Sequence, residues 1–187
     1  VDTVDRLIRS TQELLWERGY VGTSPKAIQQ RANAGQGSMY HHFGGKADLA
    51  LAAIRRSAAE LREEAEAALS REGTALDRVG AYLDRERDVL RGCRIGGLAQ
   101  DPDIVANAEL RQPVAETLSW LHGRLTEVLR EGQDKGELAR DFAPEAVAAT
   151  VSAVVQGGYV LARAAGTTDA FAVALDGVRQ LLLSKQL

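Results

Sequence analysis

Cysteine is almost absent from this chain: Cys93 is the only one in 187 residues. That excludes an internal disulfide and fits a reducing compartment. Proline is scarce, with four residues, and runs of β-branched residues are few, so little in the chain breaks helices and little favours a sheet. Aromatic residues make up 5%, which argues against a pocket of stacked rings for flat cationic ligands. No glycine-rich phosphate loop, nucleophile-elbow motif or nucleophile–base spacing is present, so nothing points to an enzyme. His41 and His42 are adjacent, about 100° apart on a helix, while His122 and Cys93 lie far off in sequence. That spacing does not suit a zinc site, and neither a metal nor a cofactor is expected.

One absence is local. Between Gly19 and Ala47 there is no acidic residue, yet Lys26, Arg31 and Lys46 are present. Residues 1–56 carry eight Lys+Arg against five Asp+Glu, a net of +3; the remainder carries fifteen against twenty-one, a net of −6. The overall charge of −3 therefore hides a basic end on an acidic body, the distribution that phosphate binding by one end requires. Hydrophobic content of 45% and charged content of 26% are those of an ordinary globule with ample core.

Residues 24–46, SPKAIQQRANAGQGSMYHHFGGK, read as helix, tight turn, short helix and the start of another. Ser24 is a good N-cap and Pro25 follows at N1, where a missing N–H costs nothing. Ile28 and Ala32 are four apart and share a face. Asn33 falls where the turn needs positive φ, which asparagine tolerates best after glycine. A short helix over 36–42 would be anchored by Met39 and Phe43. That leaves Gln36, Gly37, Ser38, Tyr40, His41 and His42 facing outward or sideways, a polar set suited to a major groove.

This segment resembles the DNA-binding region of the TetR family of bacterial repressors. The matching residues are Thr23-Ser24, Ile28, Ala32, the run Gly37-Ser38-Met39-Tyr40-His41-His42-Phe43 and Lys46-Ala47-Asp48-Leu49. The stretch 7–20 is similar to the family's first helix. Three positions depart from the pattern: Asn33 stands where Gly is usual, Gly35 where Ser or Thr caps the recognition helix, and Gln29 where a small Ala is usual. Gly35 removes a cap, a loss of ~0.5–1 kcal/mol, or leaves room for the backbone to approach DNA. These departures also motivate a competing expectation, a helical small-molecule-binding or interaction protein with a degenerate helix-turn-helix.

Beyond this segment the chain reads as a series of amphipathic helices, about nine in all. Val4, Leu7, Ile8, Thr11, Leu14 and Leu15 make the first stripe. A long fourth helix starts near Lys46 and runs to about Ser70, and a fifth is expected over 75–91. Residues 92–101, GCRIGGLAQD, resemble a junction found in one branch of the TetR family, and Asp101-Pro102-Asp103 marks a stop or kink. A seventh helix carries Val114, Leu118, Leu121, Leu125 and Val128 and ends at Gly136, with Pro113 either in its first turn or kinking it. The eighth, 144–163, has no charge between Glu145 and Arg163; as a membrane span it reads as short and too polar, and Gly157-Gly158 would permit close helix contact. The ninth, 171–182, carries Phe171, Ala174, Leu175, Val178, Leu181 and Leu182 as its stripe.

The expected fold is all-α: a helix-turn-helix DNA-binding domain over 1–45 and an effector-binding and dimerisation domain over 46–187. The resemblance implies a cytoplasmic homodimer, paired through 144–163 and 171–182, that binds a pseudo-palindromic operator in double-stranded DNA and is released by a small-molecule effector. Ser24, Lys26 and Lys46 are the phosphate candidates. Gln36 would pair with adenine or a guanine edge; Gly35 and Gly37 would permit close approach; Ser38, Tyr40, His41 and His42 are base or phosphate candidates. Tyr82, Cys93, Leu98, Trp120, Gln156 and Tyr159 are the effector-pocket candidates. Cys93, near Arg91 and Arg94, also admits an electrophile- or oxidant-sensing version of the regulator. The chain opens on Val1-Asp2-Thr3 rather than methionine, without a signal-peptide pattern; basic residues in a preceding arm would add DNA contacts.

Overall fold

The computed structural model describes residues 2–186. Over them the chain folds into α1 (Thr3–Arg18), α2 (Pro25–Ala32), α3 (Gln36–His42), α4 (Lys46–Leu69), α5 (Ala75–Asp84), α6 (Pro102–Ala106), α7 (Ala108–Asp134), α8 (Pro144–Ala165) and α9 (Asp169–Leu183), with one 3-10 turn over Leu98–Gln100. Among the described residues there is no strand, only an isolated bridge between Leu138 and Gln186. The all-α expectation holds.

Two compact units are present, and they do not follow chain order. The first takes the residues up to Leu61 together with Cys93–Thr117; the second takes Arg62–Gly92 and everything from Leu118 onward. The long helices α4 and α7 each run from one unit into the other.

The core of the first unit includes Leu7, Leu14, Ile28, Ala32, Met39, Phe43 and Leu49. The α1 stripe, the Ile28/Ala32 face and the two anchors of α3 thus meet in one place, at roughly 1.5–3 kcal/mol per fully buried large side chain. Polar bonds reinforce the packing. Gln12 donates to Ser57 Oγ and to Glu60, both at 3.0 Å, and Arg56 pairs with Asp5 at 2.6 Å.

In the second unit α8 packs on α9. Ala148, Val151, Val155, Gly158, Tyr159 and Ala162 are the buried face of α8; Phe171, Leu175, Val178 and Leu182 are that of α9. Gly158 makes the contact possible, because a Cβ there would lie 2.9 Å from Phe171 Cδ2. Gly157 faces open space. By length and mean hydropathy (1.3) α8 is apolar enough to cross a membrane, contrary to the expectation that it is too short and polar. Its valines, alanines and leucine outweigh Thr150, Ser152 and Gln156, and composition does not distinguish such a span from a helix built to pack.

One further expectation changes, and one open alternative, the place of Pro113, is narrowed. The fifth helix stops at Asp84 rather than Arg91, with Arg85 extended at φ −56°, ψ 146°. Arg87 turns back and donates to the carbonyls of Leu83 (2.7 Å), Arg85 (2.8 Å) and Tyr82 (2.5 Å), satisfying acceptors that a continuing helix would have used. Pro113 lies inside α7, beyond its first turn, where it removes one intrahelical donor. The start of α5 carries a capping box unnoticed in the sequence: Asp77 N–H donates to Thr74 Oγ1 at 3.2 Å, and the Asp77 carboxylate accepts from Thr74 N–H at 2.9 Å.

Gly158→Ala should therefore lower the melting temperature, since the added methyl must displace the Phe171 ring. Gly123→Ala, inside α7 with nothing within 4 Å of its Cβ, should raise it through helix propensity, by up to about 1 kcal/mol. Thermal melts of the two variants check the contrast.

Arg124 donates to both oxygens of Glu66, at 2.8 and 2.9 Å, and holds that carboxyl below the usual glutamate range. Arg78, 2.6 Å from Glu131, does the same there. A folded-state pKa below the unfolded value contributes stability above the unfolded value, and that stability disappears as pH falls through the folded one. Melts should therefore lose stability as pH drops below about 4.3, and Glu66→Gln should shrink that loss. Both carboxylates are nearly half exposed and screened by solvent, so the change will be small.

Candidate nucleic-acid interface

Local chemistry sets the geometry of α2 and α3. Ser24 is extended at φ −102°, ψ 153°, and its Oγ accepts from Ala27 N–H at 3.1 Å, with Pro25 beginning the helix. Just before it, Thr23 Oγ1 donates to Gly19 O at 2.7 Å. Asn33 ends α2 in the left-handed region, φ 46°, ψ 52°, and is the one non-glycine residue with positive φ among the described residues. Ala34 N–H then returns to Gln29 O at 3.0 Å, turning the chain into α3.

The short α3 is seated from below. Met39 is wholly buried and Phe43 nearly so. Gln29, where the family pattern has a small residue, sends its Nε2 to within 3.5 Å of Met39 Sδ and so ties α2 to α3. Gly35 caps α3 without a side-chain bond, at an ordinary φ of −71° that any residue adopts. No atom lies within 4 Å of a Cβ built at Gly35 or Gly37, so that edge of α3 is open surface. Each of the three departures fits the local fold.

With its anchors buried, α3 exposes a polar row. Gln36, Gly37, Tyr40, His41 and His42 are exposed and Ser38 is half-buried; Ser24 and Lys26 are exposed at the start of α2. The His41 and His42 rings meet edge-on, 4.8 Å between centroids. Asp48 closes the α3–α4 turn by accepting Gly44 N–H at 3.0 Å. Lys46, the first residue of α4, is half-buried with its Nζ 3.9 Å from the centroid of the Tyr20 ring, a cation–π contact that fixes a long, mobile side chain. Arg31 is turned away to Glu17 on α1 at 2.8 Å, which leaves Lys26 and Lys46 as the cations of the acid-free stretch without an ion pair among the described residues.

The six pocket candidates divide between the units. In the second, Tyr82 and Tyr159 come together around the half-buried Arg87. The Arg87 guanidinium lies 5.4 Å from the Tyr82 ring centroid and 5.9 Å from that of Phe171, whose ring lies 4.7 Å from Tyr159. Burial pushes Arg87 below the ordinary arginine range. Trp120 and Gln156 are half-buried in the same unit, with Arg62 5.8 Å from the Trp120 ring. Cys93 and Leu98 belong to the other unit: Cys93 Sγ accepts Gly96 N–H at 3.2 Å, and Leu98 is buried in the 3-10 turn. Arg94, adjacent to the thiol in sequence, is directed to Glu60 (3.2 Å) and to the Trp16 ring (4.3 Å). A cleft of about 680 Å³ between α5 and α9 is lined by Leu83, Arg85, Arg179 and Leu182 among others, and by none of the six. Sequence reasoning overlooked Arg87, which only a view of the α5 terminus reveals, and Tyr20, whose ring seats Lys46.

Comparison with known proteins agrees with this geometry. A profile for bacterial regulatory proteins of the TetR family matches residues 7–53, and one for the tetracyclin repressor-like C-terminal domain matches 68–178. The transcriptional regulator AcuR of Cereibacter sphaeroides is 32% identical over 149 residues, spanning 76% of this chain and 68% of that protein. A crystal structure of a regulatory protein TetR from Rhodobacter sphaeroides superposes with a TM-score of 0.83 at 26% identity, covering 94% of this chain and 96% of that one. A cysteine mutant of the TetR-family regulator CifR, complexed with 26-base-pair operator DNA, shares the fold with a TM-score of 0.78 at 22% identity, covering 94% of each chain. The seated recognition helix, its exposed polar row and the two matched regions lead to one conclusion: the chain belongs to the TetR family and is a DNA-binding transcriptional regulator.

Proposed function

We propose that the chain is a homodimeric repressor whose residues 1–45 read a pseudo-palindromic operator and whose residues 46–187 bind a releasing effector and a second subunit. The exposed polar face of α3 carries this reading. Gln36 offers the bidentate amide that pairs with adenine or reaches a guanine edge. Ser24, Lys26 and Lys46 hold phosphates, Gly35 and Gly37 permit close approach, and Ser38, Tyr40, His41 and His42 complete the contact surface. The operator-bound CifR variant, which shares this fold, supports duplex DNA as the partner, and the repressor-like C-terminal match supports repression.

The dimer reading rests on α8 and α9. Val160, Leu161, Val173, Leu181 and Leu183 are more than half exposed on these two helices, an apolar surface that a second copy of the same pair would cover. The effector reading rests on Tyr82, Tyr159, Trp120 and Gln156, which share one unit; Cys93 and Leu98 are separate candidates. Such an effector must prefer the form that does not bind DNA. A hundredfold release needs ~2.7 kcal/mol of coupling. Relatives named as transcriptional regulators support a regulatory role rather than an enzymatic one, and an operator-binding role fits a cytoplasmic, nucleoid-associated protein.

Selection from random duplex DNA supplies the probe. Gln36→Ala should relax base preference by about 1–3 kcal/mol, whereas Lys46→Ala should weaken binding to all sequences and reduce the salt slope by about one. Unchanged binding in both variants would contradict the interface. Introducing charge with Val173→Glu and Leu181→Glu together should give a monomer by sedimentation and a large loss of operator affinity; a stable dimer would place the subunit contact elsewhere.

A further inference from the structure

We infer that Asp101 is a positioning residue for DNA binding, joining the start of α6 to the α1–α2 turn and, through Tyr20, holding Lys46 in place. This rests on the assignment of Lys46 to phosphate.

Asp101 is 9% exposed, and its carboxylate is shared between two elements 80 residues apart in sequence. Oδ1 accepts from Asp103 N–H at 3.1 Å and Ile104 N–H at 3.3 Å, which caps α6. Oδ2 accepts from Tyr20 N–H at 2.7 Å and Val21 N–H at 3.2 Å. Those amides would otherwise be left without partners in the turn between α1 and α2. The turn is shaped for this visitor: Gly19 has φ +69°, and a Cβ there would lie 2.7 Å from Asp101 Oδ2. The backbone so held presents the Tyr20 ring, and the ring seats the Lys46 ammonium at 3.9 Å. One continuous path therefore runs from the first turn of α6 to the cation beside the recognition helix. A hydrogen bond to a charged acceptor is stronger than one to a neutral acceptor, so displacing α6 draws on Tyr20 and Val21 before it breaks the joint.

Asp101→Asn separates the two duties. An amide has one oxygen, so it can cap α6 or hold the turn, and its NH₂ then faces two backbone donors. Tyr20→Leu is the complement: it keeps both backbone N–H groups and removes only the ring. Affinity for the duplex most enriched by selection is measured across a salt series for each variant, alone and combined with Lys46→Ala, with circular dichroism as the fold control.

Each single variant should bind about tenfold more weakly, with the salt slope lowered by about one as in Lys46→Ala. Neither should add to the Lys46→Ala loss, because all three act on one contact. Wild-type affinity and slope in both variants, or full additivity with Lys46→Ala, overturns the inference. If Asp101→Asn loses helix content, Tyr20→Leu decides. If Lys46→Ala itself binds like wild type, the phosphate assignment fails first and this inference falls with it.

Discussion

A helix of seven residues has no stability of its own in water. Everything the first unit does therefore depends on how α3 (Gln36–His42) is seated. Met39, wholly buried, and Phe43, one turn later, press it onto the core formed with Leu7, Leu14, Ile28 and Ala32. Because both anchors lie on one face, the opposite face must be solvent-exposed, and its chemistry is free of packing constraints. The polar row from Gln36 to His42 is the consequence. A charged or small substitution at Met39 would not touch that row, yet it would remove the platform that presents it.

The surroundings of α3 follow the same logic at longer range. Turns that flank it are closed by side chains: Ser24 at the start of α2, Asn33 at its end and Asp48 beneath the α3–α4 turn. Among the described residues Lys46 is restrained by an aromatic ring rather than by a carboxylate. Arg31, by contrast, is paired with Glu17. The second unit uses arginine differently. Arg78, Arg87 and Arg124 reach backbone carbonyls or glutamates and act as internal ties, while several apolar side chains on α8 and α9 remain exposed.

Local signals in the sequence were read well where a single side chain decides the backbone. The Ser24 cap, the positive φ of Asn33, the bounds of α3 and the start of α4 all depend on neighbours within a few residues, and all are present as expected. The helix expected over 75–91 ends at Asp84, where Arg85 is extended and Arg87 returns to three carbonyls, a tertiary arrangement that no local pattern announces. Asp101 was read as a stop signal before Pro102, which captures its capping of α6 but not its hold on Tyr20 and Val21. That second duty needs the α1–α2 turn brought beside it, and no pattern along the chain carries such information. The membrane reading of α8 likewise could not be settled by composition, since a packed apolar helix and a spanning one share it.

Two recognition helices must meet successive major grooves if the dimeric account is right. The most direct test is a hydroxyl-radical footprint of the full chain on a selected duplex. The account predicts two protected patches related by a dyad, their centres about 34–36 Å apart or a multiple of that. A single patch without a dyad, or uniform weak protection, would contradict it.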